Sequence, residues 1–346
     1  MPTIYDIAKA AQVSPKTVSR VINNDAPVRL ETRQQVEQAM NELGYVPSKA
    51  ARSMRSNRSG IVGLITGAVS QSSELSEPHG LPDLFIVQGI QRVLADEEIT
   101  LMIADTGGLA KRIPTLINTF LQYRVEGLIY VADRHQRISL PPLPQGQQMI
   151  LVNCFDDQGT PAIVPDDQKG QRDLVLNLIK EGHRRIAYLC LHECIATELR
   201  IAGYRKALEA AGLPFDFGLV QCGDFERCEE EPQLQWQIIQ SWLALPDPPT
   251  VICCGNDEMA MRIYGVLRTQ GMAVPEAISI AGYDNHRSIA ETLYPALTTM
   301  ELPYESMGIA AAQRLIQLIR NEPNETPTLQ RIRGDVFWRS SVIAWP

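Results

Sequence analysis

Ser14, Pro15, Lys16, Thr17, Ser19, Arg20 and Asn23 stand close together near the start of the chain. They bring hydroxyls, an amide, an ammonium and a guanidinium, groups that hydrogen-bond to phosphate oxygens and to base edges. To act together they need one rigid scaffold, and residues 4–23 read as two short helices joined by a tight turn. Ile4, Ile7, Ala8 and Ala11 recur at helical spacing, and Thr3 with Asp6 three residues on forms a capping-box start. Ser14 then Pro15 begins the second helix: the hydroxyl accepts from a first-turn N–H, and proline there gives up a donor that has no partner anyway. Val18, Val21 and Ile22 face inward, which leaves Pro15, Lys16, Thr17, Ser19, Arg20 and Asn23 outward. A helix-turn-helix of this kind sets its second helix in the major groove, N-terminal residues nearest the bases. The alternative is an αα-hairpin inside an ordinary helical domain.

Charge is distributed to match. The net charge is -8, yet residues 1–59 hold nine Lys or Arg against five Asp or Glu, leaving 23 against 35 for the remainder. One end is therefore +4 and the rest -12, which concentrates phosphate attraction at the start and discourages DNA elsewhere. At 346 residues the chain suggests two or three compact units. No basic stretch precedes an apolar one as in a signal peptide, and no run of about 18 apolar residues is present. A cytoplasmic protein without membrane contact is expected. Seven cysteines, an odd number, argue for reduced thiols. Neither Cys190, His192 and Cys194 nor Cys222 and Cys228 have the paired spacing of a structural zinc site, so no metal and no cofactor are expected.

A third helix is expected over 30–43, with Val36, Ala39, Met40 and Leu43 inside, Thr32, Arg33, Glu37 and Glu42 outside, and Gly44 as the stop. Residues 48–55 can make one or two turns capped by Ser48, too short for a stable helix alone, and 57–60 is a polar linker. From Ile61 the pattern changes to short apolar runs, at 61–65, 101–103, 127–131 and 149–152, then at 186–189, 219–220, 251–254 and 278–281. Helical stretches at 170–181, 200–211, 232–243 and 258–269 alternate with the second set. The fold class read from this is an all-α helix-turn-helix headpiece plus an α/β body of two doubly wound parallel-sheet subdomains. Ligands of such sheets sit beyond the carboxyl ends of the strands. An enzyme is not expected, since no Gly-x-Gly-x-x-Gly follows 61–65 and neither a P-loop nor a nucleophile elbow occurs. A transport-type binding protein accounts for the body but not for the first helices.

Several segments together carry a family resemblance: the 4–23 motif, Thr32-Arg33-Gln34-Gln35-Val36, Leu43-Gly44-Tyr45-Val46-Pro47, Ala51-Arg52-Ser53-Met54 and Gly182-His183-Arg184-Arg185-Ile186. To these add Arg200-Ile201-Ala202-Gly203-Tyr204, Asn256-Asp257-Glu258-Met259-Ala260, Ser279-Ile280-Ala281-Gly282-Tyr283-Asp284, Pro295-Ala296-Leu297-Thr298-Thr299 and Arg339-Ser340-Ser341. Over nearly its whole length the chain resembles the lactose-repressor/galactose-repressor family of transcription factors. The resemblance implies a headpiece at 1–47, a hinge helix and linker at 48–60, and at 61–346 a body like periplasmic sugar-binding proteins that the chain crosses three times. Its first subdomain is placed at about 61–156 and 292–322, its second at about 157–291 and 323–341. It implies a repressor that acts as a homodimer on pseudo-palindromic double-stranded operator DNA and answers to a small-molecule effector. The chain stops at Trp345-Pro346 without the extra heptad helix of the family's tetramers, so a dimer is expected.

On the headpiece and hinge the DNA-facing residues implied are Thr3, Ser14, Pro15, Lys16, Thr17, Ser19, Arg20, Asn23, Lys49, Ala51, Arg52, Met54 and Arg55. Met54 takes the place of a leucine wedged in the minor groove, and Lys49, Arg52 and Arg55 flank it toward phosphates. Gln12 stands where the family usually has glycine. For the effector pocket the matching positions are Asn153, Phe155, Arg200, Phe225, Asn256, Asp284 and Tyr304, with Arg200 and Asp284 as the strongest pair. Carboxylate, amide, guanidinium and ring face suit a polyhydroxylated ligand, a sugar or sugar derivative; a nucleobase is the alternative. His192 replaces part of the family's usual Gly-Pro turn. Residues 70–82 make a longer loop than the family norm, readable as a partial lid or as a surface excursion.

Overall fold

The computed structural model describes residues 2–24, 26–46, 58–67, 82–224, 230–323 and 325–346. The chain divides into two compact units, Met1–Gly60 and Ile61–Pro346.

The first unit holds α1 (Ile4–Ala10), α2 (Pro15–Asn23) and α3 (Leu30–Glu42). Thr3 N and Oγ1 both donate to Asp6 Oδ2 at 2.7 Å, and the two bonds hold the Asp6 carboxyl below its ordinary value. Ser14 Oγ accepts from Thr17 N at 3.1 Å, with Pro15 opening α2. The turn between the helices puts Gln12 at φ +53°. A left-handed backbone costs a residue with a Cβ on the order of 1 kcal/mol, which is why glycine is the usual choice there. Ile7, Val18, Val21, Val36 and Ala39 close the small core. Leu43, expected inside, is exposed. The reason is that α3 stops at Glu42 and the chain reverses, Tyr45 N donating to Met40 O so that the Tyr45 ring packs on the core instead.

The second unit begins with β1 (Ile61–Thr66), α4 (Pro82–Asp96), β2 (Thr100–Asp105), α5 (Ile113–Gln122), β3 (Gly127–Arg137), β4 (Gln148–Phe155) and β5 (Ala162–Pro165). It continues with α6 (Asp167–Lys180), β6 (Ile186–Cys190), α7 (Ile195–Ala210), β7 (Val220–Cys222), α8 (Glu231–Leu243), β8 (Val251–Cys254) and α9 (Asp257–Thr269). Last come β9 (Ser279–Asp284), the single turn α10 (Arg287–Ala290), β10 (Thr298–Glu301), α11 (Tyr304–Ile319), β11 (Leu329–Ile332) and β12 (Val336–Phe337).

These strands form two six-stranded sheets, ordered β11-β5-β4-β3-β1-β2 and β12-β10-β9-β8-β6-β7. All pairs are parallel except β10 with the edge strand β12. Both faces of each sheet are covered, so the strands are nearly continuous apolar runs rather than alternating ones. In the first sheet Leu64, Ile129 and Ile150 pack under α4 and α11, while Ile65, Leu128 and Leu151 pack under α5. In the second, α6 and α7 cover Tyr188 and Val251, and α8 and α9 cover Ile252 and Ile280. Fully burying each such side chain stabilises the fold by about 1.5–3 kcal/mol. Gly89 of α4 and Gly308 of α11 let those helices touch backbone to backbone; a Cβ on either would collide with the carbonyl of Glu305 or Ile86. That contact fixes the start of α11, where Tyr304 stands.

The chain crosses between the sheets three times, but not where the sequence placed the boundaries. β5 and β11, assigned to the second subdomain, belong to the first sheet, and β10, assigned to the first, belongs to the second. Each crossing strand completes a pairing before the chain departs: β5 lies beside β4 and β10 beside β9. The crossings therefore fall at 165–167, 301–304 and 332–336. A buried apolar strand reads the same in either sheet, so the sequence carried no mark of this. No helix among the described residues is long and apolar enough to cross a membrane.

Candidate functional site

On α2, Ser14, Pro15, Lys16 and Arg20 are exposed, and Thr17 and Asn23 are half-buried. Lys16 and Arg20 make no hydrogen bond or ion pair with the described residues, so two positive charges stand free on one helix face. Ser19 differs from expectation: it is buried, and Asn23 Nδ2 donates to its Oγ at 3.2 Å. Thr3 is exposed, with its hydroxyl committed to Asp6. Lys49, Ala51, Arg52, Met54 and Arg55 lie outside the described residues, as do Phe225 and residues 70–81.

In the second unit a cavity of about 680 Å³ opens between the two sheets. Leu191 and His192 follow β6, Asp224 follows β7, Asn256 follows β8, and Asp284 and Glu301 end β9 and β10. The first subdomain faces them with Phe85, Asp133 and Tyr304. These are the carboxyl ends of parallel strands, where side chains from separate loops converge without blocking one another. Of the seven pocket positions proposed from sequence, Asn256, Asp284 and Tyr304 line this cavity. Asn256 also caps α9, its Oδ1 accepting from Met259 N at 2.7 Å. Asp284 is half-buried at φ +116° and has no hydrogen-bond partner for its carboxylate among the described residues. Burial pushes that carboxyl well above its ordinary value; Arg200 opposes the rise while Asp257 and Glu258 add to it.

Asn153, Phe155 and Arg200 do not line the cavity. Asn153 is buried at φ +58° and donates to Ala132 O at 3.1 Å. Phe155 packs edge-on against His135, with the Arg137 guanidinium 5.6 Å from its ring centre. Arg200 pairs with Asp167 rather than Asp284. Its Nε donates to Asp167 Oδ1 at 2.7 Å, its Nη1 to Gly255 O at 2.6 Å, and its guanidinium lies 3.7 Å over the Tyr283 ring. His135 Nδ1 donates to the other Asp167 oxygen at 2.8 Å. Burial alone would raise the Asp167 carboxyl, but the Arg200 charge and the His135 bond overcome it and hold the group below its ordinary value. The three side chains come from β3, the start of α6 and α7, so this buried network ties the first subdomain to the second next to a crossing. The planar, forked guanidinium is what allows one residue to grip a carboxylate and a carbonyl while stacking on a ring.

Sequence reasoning missed His135, Asp167, Asp133, Glu258 and Glu301. No local signal marks them, since they meet only through the fold. His192, which the sequence suggested more readily as a solvated loop histidine, lines the cavity. Its Nδ1 donates to Asp224 Oδ2 at 2.7 Å, and Arg134 of the facing subdomain stands 3.5 Å from its Nε2. A second buried carboxylate, Asp257, accepts from Thr299 Oγ1 at 2.6 Å and His286 N at 2.7 Å and so holds the loop after β9 in place. Burial raises its carboxyl to about 7. Among the described residues no cluster of His, Cys, Asp or Glu is arranged to hold a metal ion.

Comparison with known proteins accounts for both units. Residues 3–48 match the family described as bacterial regulatory proteins, lacI family, and residues 175–342 match a periplasmic binding protein-like domain. The HTH-type transcriptional repressor PurR of Vibrio atlanticus is 30% identical over 354 aligned residues, covering 99% of this chain and 99% of that protein. Among solved structures, a LacI-family regulator from Rhizobium etli shares 31% identity with a TM-score of 0.71, over 83% of this chain and 100% of that one. The complex of the transcriptional regulator CelR with cellobiose shares 29% identity with a TM-score of 0.63, over 99% and 100%. Similarity that runs the full length, through the helix-turn-helix and both sheets, leaves one conclusion: the chain belongs to the lacI family of bacterial regulatory proteins and is a DNA-binding transcriptional regulator, not an enzyme.

Proposed function

We propose that this chain is a repressor that binds a pseudo-palindromic operator as a homodimer through α2, with its operator affinity set by a small hydroxyl-rich ligand held between the two sheets. The observation that carries the reading is the cavity at the strand ends, where Asn256, Asp284 and Tyr304 converge with groups from the opposite subdomain. Carboxylate and amide can meet neighbouring hydroxyls while a ring covers an apolar face, the chemistry of a carbohydrate. The cellobiose complex of a relative similar over the full length supports the same class. A nucleobase effector is the second reading, favoured by the ring faces of Phe85, Tyr304 and Phe337 at the cavity and by full-length relatives named PurR.

The mechanism is a coupling between two sites. A ligand that touches both subdomains favours the arrangement in which they stand closest. Its effect on operator affinity is limited to its differential binding to the two arrangements. His135, Asp167 and Arg200 lie at a crossing and hold one arrangement by buried hydrogen bonds. Sugars, disaccharides and nucleobases, each added to the purified protein while operator binding is followed by fluorescence anisotropy, test the reading. A ligand that changes operator affinity severalfold is expected; absence of any change across the panel would overturn effector control.

A further inference from the structure

The cavity is acidic, and its two arginines are each paired with a glutamate. Seven of its lining residues are Asp or Glu and two are Arg. Arg262 Nη1 is bonded to Glu231 at 3.0 Å and Arg287 Nε to Glu291 at 3.0 Å. His192 is held by Asp224. Arg200, buried and outside the lining, gives its hydrogen bonds to Asp167 and Gly255. Set against these, the Asp284 carboxylate has no hydrogen-bond partner among the described residues, the Asp133 carboxylate accepts only from the neutral Gln136 amide, and Glu301 accepts from Asp335 N at 3.3 Å.

Asp284 and Glu301 are also register partners at the ends of adjacent parallel strands. Neighbouring strands run about 4.8 Å apart, and like charges side by side are unfavourable in a sheet. Both side chains nevertheless line the same cavity, with Asp133 of the other subdomain also at its wall. The ring faces of Phe85, Tyr304 and Phe337 complete the lining, and such faces attract cations. A ligand with a phosphate or carboxylate would enter a lining where acidic residues outnumber arginines seven to two, both arginines being already paired with a glutamate. A ligand with a protonated amine would give the Asp284 carboxylate, which accepts no hydrogen bond among the described residues, a charged donor.

From this geometry we infer that the effector of this cleft is a cationic, amine-bearing polyol, recognised by Asp284 and Glu301, and that phosphorylated or acidic analogues are rejected. The inference rests on the reading of the cleft as the effector site. The test is calorimetry on the full chain with matched sets: D-glucosamine, D-galactosamine and D-mannosamine; their N-acetyl derivatives, of similar shape without the charge; and the parent hexoses with their 6-phosphates. At least one free amine should bind ten times or more tighter than its N-acetyl partner. That preference should fall below threefold in the double variant Asp284→Asn, Glu301→Gln. Thermal unfolding of the variant checks that it folds, and Glu301→Gln alone, with the preference reduced, serves if the double variant does not. A neutral sugar or a phosphate binding as well as the amine overturns the inference and leaves the cleft reading standing. No binding by any charge class overturns both.

Discussion

Among the described residues, Lys16 and Arg20 on the outward face of α2 form no ion pair with an acid, and in the cleft the Asp133 and Asp284 carboxylates form none with a cation. On the proposed reading, each region holds its charge for a partner of opposite sign. DNA is drawn to the headpiece and repelled by the cleft. The regions differ in construction as well. The headpiece face comes from one nine-residue helix. The cleft gathers loops after β6, β7, β8, β9 and β10 with groups from β3, α4 and α11, so no part of it exists until both sheets are formed. A third kind of site, the His135–Asp167–Arg200 network, spends its charges internally.

The contrast between reserved and internally spent charge breaks most sharply at Arg200. Arg200→Ala leaves the Asp167 carboxylate buried with a single partner, and removal of one member of a buried pair costs about 3–5 kcal/mol. Denaturant unfolding of the variant should show this loss; an unchanged midpoint together with lost effector binding would return Arg200 to the pocket. Asp167→Leu combined with Arg200→Met should cost less than the sum of the single changes, because neither charge is then left alone.

The buried carboxylates predict opposite pH behaviour. Asp167 is held below the ordinary 3.8, so its contribution to stability is present above that value and is lost as pH falls through its lowered pKa. Asp257 is raised from 3.8 to about 7, so the folded state holds its proton more tightly than the unfolded chain does. Its relative stabilisation is complete below 3.8 and is lost as pH climbs through about 7, at a slope of up to about 1.4 kcal/mol per pH unit. Asp257→Asn should flatten that part of the stability profile, measured by thermal melts in a buffer series. A profile identical to that of the parent would exclude Asp257 as its source.

Smaller effects should sharpen the headpiece side of the comparison. Lys16→Ala is expected to change preference at particular base pairs by about 1–3 kcal/mol, read by selection from a randomised operator library. Ser19→Ala, being buried, should shift stability and leave the base profile as it was; an altered profile would restore Ser19 to the DNA-facing set. The least change is expected from Gln12→Gly, which removes the strain at φ +53° but adds freedom to the unfolded chain. A net gain of up to about 1 kcal/mol in headpiece stability should follow, seen as a higher melting temperature.

What the sequence alone determined is whatever depends on near neighbours or on summed charge. Thr3 and Asp6, or Ser14 and Thr17, find each other within one helical turn, so the caps of α1 and α2 were legible, as was the left-handed turn at Gln12. The apolar runs set the strands of two covered parallel sheets, and the basic start set the end that meets DNA. Only the tertiary structure decided which long-range partner each polar group took. Arg200 was legible as a guanidinium in search of a carboxylate, but Asp284 and Asp167 are equally eligible in sequence, and the path of the chain after β5 brings Asp167 to it. Likewise Glu301 gains meaning from lying in register with Asp284, and β5, β10 and β11 were misassigned because an apolar strand is buried equally well in either sheet. Strand pairing and the crossings between sheets set these distances, and they depend on contacts far apart in the chain that no local spacing encodes.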